Sequence, residues 1–258
     1  MPNTALITGA SVGIGAEFAR LHARKGGDLV IVARRTEALE ALKSELEEAH
    51  GVSVHVLTAD LATQEGTEKL MADVDKLGVE IDILINNAGL GGSGLHVERE
   101  ASAERAMIEL NVQSLVALTH HFGGQMAARG GGKILNVGST AGFMPGPRQA
   151  VYFATKAFVN SFSQAVDQEL RPKGVTCTVL APGYVETEFA KVADLEGTNL
   201  VKQKGDTPQN VARIGYNAMR AGELVSINEK VLGFMLGWII PLLPRRAVLK
   251  MVDRMQAK

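Results

Sequence analysis

The chain has 258 residues, enough for one large domain, and its length does not require two. Hydrophobic residues make up 46% of it and charged residues 21%, which predicts a packed globular core and excludes a disordered chain. The formal net charge of −1 argues against a dedicated nucleic-acid surface, because such surfaces carry a basic excess.

Strand and helix patterns alternate along the chain. Short runs rich in Val, Ile and Leu predict buried strands over 4–8, 29–33, 52–58, 81–86, 133–137, 175–180 and 224–227. Apolar residues at helical spacing predict helices over 14–25, 37–49, 65–77, 103–128, 151–170 and 208–219. This alternation predicts a single-domain, doubly wound α/β fold of Rossmann type, with a mostly parallel sheet and right-handed crossovers.

Two segments interrupt this regular pattern. Residues 183–206 are polar and weakly periodic, which is typical of a substrate loop. We expect residues 1–227 to form the dinucleotide-binding and catalytic part, and residues 228–258 to be an apolar extension of the same domain with a basic tail. Three roles for the extension stay open: closing over an apolar substrate, contacting another subunit, or touching a membrane surface.

The compartment follows from the cysteine count and the N-terminus. Cys177 is the single cysteine and cannot form an internal disulfide, and residues 1–4 run into a strand without a signal-peptide pattern. We therefore expect a cytoplasmic protein. The apolar run 231–243 is shorter than the ~20 residues that a transmembrane helix needs, so we predict no transmembrane segment.

A glycine-rich turn follows the first strand and opens directly into a helix. Gly9, Gly13 and Gly15 allow a sharp turn and a close approach to a pyrophosphate held at the helix N-terminus. The spacing differs from G-x-G-x-x-G, so an ordinary strand-turn-helix connection is the alternative. In the cofactor interpretation, Ser11 and Ile14 also belong to the binding turn.

The end of the second strand predicts which dinucleotide binds. Folds that prefer NAD place an Asp or Glu there, against the ribose hydroxyls, whereas this chain has Arg34 and Arg35 after Ala33. Guanidinium groups suit a 2′-phosphate because they are permanently charged and can donate two parallel hydrogen bonds. We predict NADP(H) as the cofactor; the alternative is that both arginines are solvated.

Ser139, Tyr152 and Lys156 form a candidate catalytic group. Tyr152 and Lys156 are spaced i, i+4 on a predicted helix and so share one face. Proton transfer by Tyr152 near neutral pH requires a pKa lowered from ~10 to roughly 7–8, to which a nearby ammonium and an oxidised nicotinamide both contribute. Ser139 is expected to hydrogen-bond the substrate oxygen while Tyr152 exchanges its proton.

With these residues the sequence resembles the short-chain dehydrogenase/reductase family over residues 3–227. The motifs that carry the resemblance are the turn 8–15, Asp60-Leu61, Asn86-Asn87-Ala88-Gly89, Asn111, Ser139, Tyr152-x-x-x-Lys156 and Pro182-Gly183. Beyond residue 227 the chain departs from the usual short Gly-containing ending. That departure puts in doubt the tetramer contact usual in the family, and it disfavours a ketoreductase of fatty-acid synthesis.

The resemblance implies roles for individual residues. It implies a catalytic tetrad of Asn111, Ser139, Tyr152 and Lys156, in which Asn111 holds a water that connects Lys156 to a proton relay. It also implies further cofactor contacts: Asp60 and Leu61 beside the adenine, Asn87, Ala88 and Gly89 along the cleft, and Pro182, Gly183, Val185 and Thr187 around the nicotinamide.

The sequence thus predicts an NADP(H)-dependent carbonyl reductase that reduces a ketone or aldehyde, or oxidises the matching alcohol, on an apolar small molecule. We expect a homodimer or homotetramer, no nucleic-acid partner and no metal, because the neighbouring His120 and His121 lack a third ligand at metal spacing. The alternatives are a catalytically silent NADP-binding regulatory protein and a membrane-surface protein anchored through residues 228–258.

Overall fold

A computed structural model of the chain describes residues 3–258, so residues 1 and 2 of the predicted 1–227 unit lie outside the described residues. One sheet of parallel strands has the order β3-β2-β1-β4-β5-β6-β7. Its strands are β1 (Thr4–Thr8), β2 (Asp28–Ala33), β3 (Val54–Thr58), β4 (Ile83–Asn86), β5 (Gly132–Val137), β6 (Val175–Leu180) and β7 (Val225–Ser226).

Helices connect and cover these strands. They are α1 (Gly13–Ala23), α2 (Thr36–His50), α3 (Gln64–Leu77), α4 (Ala101–Ile108), α5 (Leu115–Arg129), α6 (Ala150–Leu170), α7 (Phe189–Val192), α8 (Pro208–Ala221), α9 (Lys230–Phe234) and α10 (Arg245–Gln256). Apolar side chains are buried on both faces of the sheet, one cluster holding Phe18, Leu39 and Tyr216 and the other holding Leu70 and Phe122. Burial on both faces is why the strands read as continuous apolar runs.

The strand order confirms the predicted doubly wound Rossmann-type fold in a single domain. β1 pairs with β2 on one side and with β4 on the other, so the direction of winding reverses between β1 and β4. In open α/β sheets, ligands bind at the carboxyl ends of the strands beside such a reversal. Thr8 and Asn86 end the two strands there, so we expect the residues that follow them to lie at a ligand site.

Three regions differ from the predicted elements. The helix predicted over 103–128 is α4, a π-helical turn at Glu109–Ser114, and α5. The loop 183–206 contains the short helix α7. Residues 230–242 form a continuous helical segment, in which α9 is followed by a π turn (Met235–Ile239) and a 3-10 turn (Ile240–Leu242), and α10 comes after it.

The C-terminal extension packs onto the domain through one apolar cluster. Leu236 and Ile240 from the helical segment, with Val248 and Val252 from α10, pack against Phe153 of α6. The extension therefore reaches the helix that carries Tyr152. No helix within residues 3–258 is both long enough and apolar enough to cross a bilayer.

Candidate active site

A cavity of about 510 Å³ lies at the carboxyl ends of the strands. It brings together all the predicted site residues except Gly15 and Asn111. Those that line it are Gly9, Ser11, Gly13, Ile14, Arg34, Arg35, Asp60, Leu61, Asn87, Ala88, Gly89, Ser139, Tyr152, Lys156, Pro182, Gly183, Val185 and Thr187. The two exceptions are buried behind the cavity wall, and each has a structural explanation given below.

The glycine-rich turn is held by Asn87 from the end of β4. The Asn87 side-chain amide donates to the carbonyl oxygens of Thr8 and Gly9, at 2.9 and 3.2 Å. Gly9 has a φ of +67°, and a Cβ on Gly15 would lie 2.2 Å from the Gly9 carbonyl oxygen. Gly15 is thus needed for close packing of the turn against α1 rather than for lining the cavity.

The N-terminus of α1 is suited to an anion. The residue before the helix is Val12, which offers no side-chain acceptor to the free backbone N–H groups of the first turn. Free N–H groups at a helix N-terminus, together with the helix dipole, bind phosphate groups well. A Cβ on Gly13 would lie 3.2 Å from Thr187 Cγ2, so the turn closely faces the segment that follows β6. The residues present therefore fit a pyrophosphate.

Arg34 and Arg35 both line this half of the cavity and both are exposed. The Arg35 guanidinium donates to Ser11 Oγ at 3.4 Å and to Glu188 Oε2 at 3.2 Å. Within residues 3–258, the Arg34 side chain has no hydrogen bond or ion pair. Arg34 is therefore unengaged, whereas Arg35 already bridges the glycine-rich turn and the loop after β6.

Ser139, Tyr152 and Lys156 converge where β5 meets α6. Ser139 follows β5, and its hydroxyl accepts a hydrogen bond from the Ala141 backbone N–H at 3.1 Å. Lys156 Nζ donates to the Val137 carbonyl oxygen at 2.8 Å and lies 5.8 Å from the centre of the Tyr152 ring. The i, i+4 spacing on α6 thus places both side chains on the cavity face.

The pKa values of these side chains reflect burial. Burial raises the pKa of Tyr152 to about 12, although the Ser139 hydroxyl acts in the opposite direction. Burial lowers the pKa of Lys156 to about 8. Desolvation of the phenolate is the largest contribution and raises the pKa, so these protein groups alone do not supply the expected lowering, and the contribution of an oxidised nicotinamide stays a prediction.

Asn111 lies in the π-helical turn, and its side chain is fully engaged. Its Oδ1 accepts from the Leu90 backbone N–H at 2.8 Å, and its Nδ2 donates to the Leu90 carbonyl oxygen and to Thr155 Oγ1. A Cβ on Gly89 would lie 3.4 Å from Asn111 Oδ1 and 3.6 Å from Lys156 Nζ. Asn111 thus ties the Leu90 backbone to α6 beside Lys156, and its role as a water ligand stays a prediction.

The sequence predicted a substrate loop over 183–206, but it did not identify the individual residues of the rest of the cavity wall. This part is mostly apolar, and α6, the loop after β6 and α10 contribute most of it. Its members include Leu90, Met144, Gln149, Phe153, Tyr184, Phe189, Val192, Leu195, Leu200, Val252, Met255 and Gln256. One pattern in the sequence could have identified the wall residues of α10. Val248, Val252 and Gln256 are spaced four residues apart, which indicates the buried side of this helix.

Two glutamines interrupt this apolar wall. Gln149 and Gln256 are both about 97% buried, each with a relative exposure of 3%. Gln149 Nε2 donates to Gln256 Oε1 at 2.5 Å, whereas Gln149 Oε1 has no partner among residues 3–258. A buried carbonyl oxygen without a donor carries an uncompensated desolvation cost, and it belongs here to a residue of the cavity wall.

Comparison with known proteins agrees with this geometry. A family model described as short chain dehydrogenase matches residues 3–196. The very-long-chain 3-oxoacyl-CoA reductase of Macaca fascicularis is 30% identical over 257 residues, covering 97% of this chain and 78% of the relative.

Two solved structures share the whole fold. The short-chain dehydrogenase from Sphingobium yanoikuyae in complex with NADPH has a TM-score of 0.86 at 32% identity, covering 100% of this chain and 99% of that chain. The bulky-bulky ketone specific alcohol dehydrogenase from Comamonas testosteroni has a TM-score of 0.79 at 31% identity, covering 95% and 96%. Because the family model spans most of the chain and the site geometry agrees with it, the chain belongs to the short-chain dehydrogenase/reductase family of oxidoreductases.

Proposed function

We propose that the protein is an NADP(H)-dependent carbonyl reductase that interconverts a bulky apolar ketone or aldehyde and the matching alcohol. The observation that carries the proposal is a single cavity combining the glycine-rich turn, the side chains of Ser139, Tyr152 and Lys156, and a mostly apolar wall. The first part suits a dinucleotide, the second suits proton transfer, and the third suits an apolar substrate.

The cofactor half of the cavity favours NADP(H). The uncapped N-terminus of α1 suits the pyrophosphate, and Arg34 and Arg35 suit a 2′-phosphate. The Sphingobium yanoikuyae relative is described in complex with NADPH, which agrees with this choice. When bound, the nicotinamide supplies or accepts the hydride at the substrate carbon. We assign cofactor binding to the predicted residues from Gly9 to Thr187 that line the cavity.

Tyr152 is the proposed proton donor in the reductive direction. A pKa of about 12 keeps its hydroxyl protonated, so it can pass its proton to the substrate oxygen while the carbonyl carbon gains a hydride. Ser139 is proposed to hydrogen-bond the same oxygen. Lys156, with a pKa of about 8, is mostly an ammonium at neutral pH and stabilises the phenolate that proton transfer leaves behind.

Asn111 is proposed as a positioning residue. It does not line the cavity, but it fixes the Leu90 backbone and the Thr155 side chain, one position before Lys156. We infer that the substrate is large from the apolar part of the cavity wall, to which several separate segments of the chain contribute side chains. Relatives whose names refer to bulky ketones and very-long-chain acyl groups agree with a large substrate.

The experiment that tests the proposal follows the absorbance of reduced nicotinamide with a panel of carbonyl compounds. We expect NADPH oxidation with diaryl or polycyclic ketones and little with acetone, and little activity when NADH replaces NADPH. Tight NADPH binding without oxidation by any aldehyde, ketosteroid, acyl thioester or cyclic ketone would instead support the silent regulatory alternative. Equal rates with acetone and with the bulky ketones would refute the assignment of a bulky substrate.

A further inference from the structure

The helical segment 230–242 is apolar on two opposite sides. Leu232, Leu236 and Ile240, four residues apart, belong to the cluster that contains Phe153. The other side carries Val231, Phe234, Trp238 and Leu242, which are 76%, 61%, 70% and 83% exposed. We call these four residues the C-terminal apolar face. Contiguous exposed apolar side chains of this size mark an interaction surface.

The charge around this face is opposite to that of the rest of the chain. Residues 228–258 contain six Lys or Arg residues and two Asp or Glu residues, a net charge of +4 in a chain whose total is −1. Arg245, Arg246 and Lys250 follow the apolar face on α10 and are exposed. None of these three has an acidic partner within residues 3–258. A partner with negative charge would complement them.

We propose that the C-terminal apolar face docks the protein on the surface of an anionic phospholipid bilayer, lying in the plane of the interface. An apolar side bearing Trp and Phe next to unpaired Lys and Arg is the composition of interfacial helices. Trp238 suits the headgroup region, where its ring is partly buried and its N–H stays hydrated. A second copy of the chain would bring another segment of net positive charge to this face, so acidic headgroups fit it better.

The docking surface is connected to the cavity. The buried side of the segment packs in the same cluster as Tyr152 and Phe153, and α10 continues from the segment to line the cavity with Val252, Met255 and Gln256. A docked protein therefore holds its cavity wall close to the lipid, where an apolar substrate is concentrated. This consequence rests on the proposed function, whereas docking itself does not.

The chain contains one tryptophan, so the intrinsic emission of the full-length protein reports on the proposed face directly. We expect Trp238 emission to shift to the blue with vesicles of phosphatidylcholine and phosphatidylglycerol, and brominated acyl chains to quench it. Vesicles of phosphatidylcholine alone should have a much smaller effect, and added salt should weaken binding. Vesicle co-sedimentation gives the affinity.

Two variants with matched controls test the two parts of the surface. Replacing Arg245, Arg246 and Lys250 by Gln should weaken binding to anionic vesicles by about 100-fold, since each basic residue contributes ~1 kcal/mol near such a surface. The same replacement of Arg24, Lys25 and Lys173, which changes net charge equally, should weaken it far less. Phe234→Ser with Leu242→Ser should also weaken binding, whereas the exposed Leu224→Ser should not.

The outcomes separate the possible occupants of the face. All the altered positions are exposed, and unchanged NADPH binding shows that each variant is folded. Unshifted emission at saturating anionic lipid overturns the proposal. A blue shift that appears on concentrating the protein without vesicles, together with a doubled mass, also overturns it and assigns the face to a second copy. Docking without carbonyl reduction leaves this inference standing and contradicts only the proposed function.

Discussion

Arg35 Nη2 lies 3.2 Å from Glu188 Oε2, so an ion pair joins the end of β2 to the loop after β6. The same guanidinium reaches Ser11 in the glycine-rich turn. Both partners of the pair are more than half exposed, and such pairs contribute at most about 1 kcal/mol. The pair therefore holds Arg35 over the cofactor half of the cavity without binding it tightly.

Glu188 should compete with the cofactor phosphate for Arg35. We expect Glu188→Gln to tighten NADPH binding up to about fivefold, because it removes a pairing carboxylate and a negative charge near the proposed 2′-phosphate site. NADH affinity should change little. Fluorescence titration at fixed ionic strength measures both, with the exposed Glu196→Gln as the control for net charge. Equal tightening of both cofactors would contradict the assignment of Arg35 to the phosphate.

The arginines at the end of β2 should determine cofactor preference. Because a charge-assisted hydrogen bond contributes ~1.5–3 kcal/mol, we expect Arg34→Ala or Arg35→Ala to weaken NADPH binding by roughly ten- to 150-fold. NADH has no 2′-phosphate, so its affinity should be almost unchanged. Arg24→Ala, at the far end of α1, is the control and should affect neither cofactor. If the unmodified protein binds NADH as tightly as NADPH, the cofactor assignment is wrong.

Tyr152 should be required for turnover but not for cofactor binding. Tyr152→Phe keeps the ring, which lies 5.6 Å from that of Phe189, and removes only the transferable proton. We expect turnover to be nearly abolished and NADPH affinity to stay within a few-fold of the unmodified value. Tyr184→Phe, at another tyrosine of the same cavity, is the matched control. Turnover retained within ten-fold would remove Tyr152 from its proposed role.

The unpaired oxygen of Gln149 should affect which ketones are accepted. Gln149→Leu removes a buried carbonyl oxygen that has no partner within residues 3–258, together with the amide that donates to Gln256 Oε1. We expect the KM of a wholly apolar ketone to fall and that of a matched ketone with a distal hydroxyl to rise, each by roughly two- to twelve-fold. Met144→Leu changes the same wall without changing its polarity and should move both constants alike. A parallel change in the Gln149 variant would show that only packing matters there.

His22 should make stability depend on pH. Its Nε2 lies 2.9 Å from the Asn3 carbonyl oxygen and must donate to it, so Nδ1 accepts from the Tyr216 hydroxyl, also at 2.9 Å. Burial lowers the pKa of His22 below its ordinary value of 6.5, so the unfolded chain binds a proton more readily than the folded one. The contribution of this group is therefore complete above pH 6.5 and is lost as the pH falls.

The measurement for this prediction is urea unfolding across pH 5 to 7.5. We expect the free energy of unfolding to fall below pH 6.5 with a slope that approaches about 1.4 kcal/mol per pH unit from this histidine. His22→Gln should lower stability at pH 7.5 and make the fall below pH 6.5 less steep. Replacing the solvent-exposed His50 by Gln should leave the slope unchanged. An unaltered slope in the His22 variant would exclude this histidine as the cause.

Local patterns in the sequence determined the fold and indicated the candidate catalytic group. Parallel strands covered on both faces need continuous apolar runs, so β1, β2, β4 and β5 could be recognised without any tertiary contact. Tyr152 and Lys156 share a face because an α-helix brings positions i and i+4 together. Glycines at the turn before α1 were equally informative, because close packing such as that of Gly15 on Gly9 excludes a side chain.

Only the tertiary structure decided how these groups are surrounded. Gln149 and Gln256 meet across the cavity wall although 107 positions separate them, and no local periodicity predicts such a contact. The engagement of Asn111 with Leu90, and of Arg35 with Glu188, likewise depends on segments that approach only after folding. Burial raises the pKa of Tyr152, opposite to the lowering expected with an ammonium and an oxidised nicotinamide beside it, because desolvation is set by all the packed neighbours and not by the i+4 residue alone.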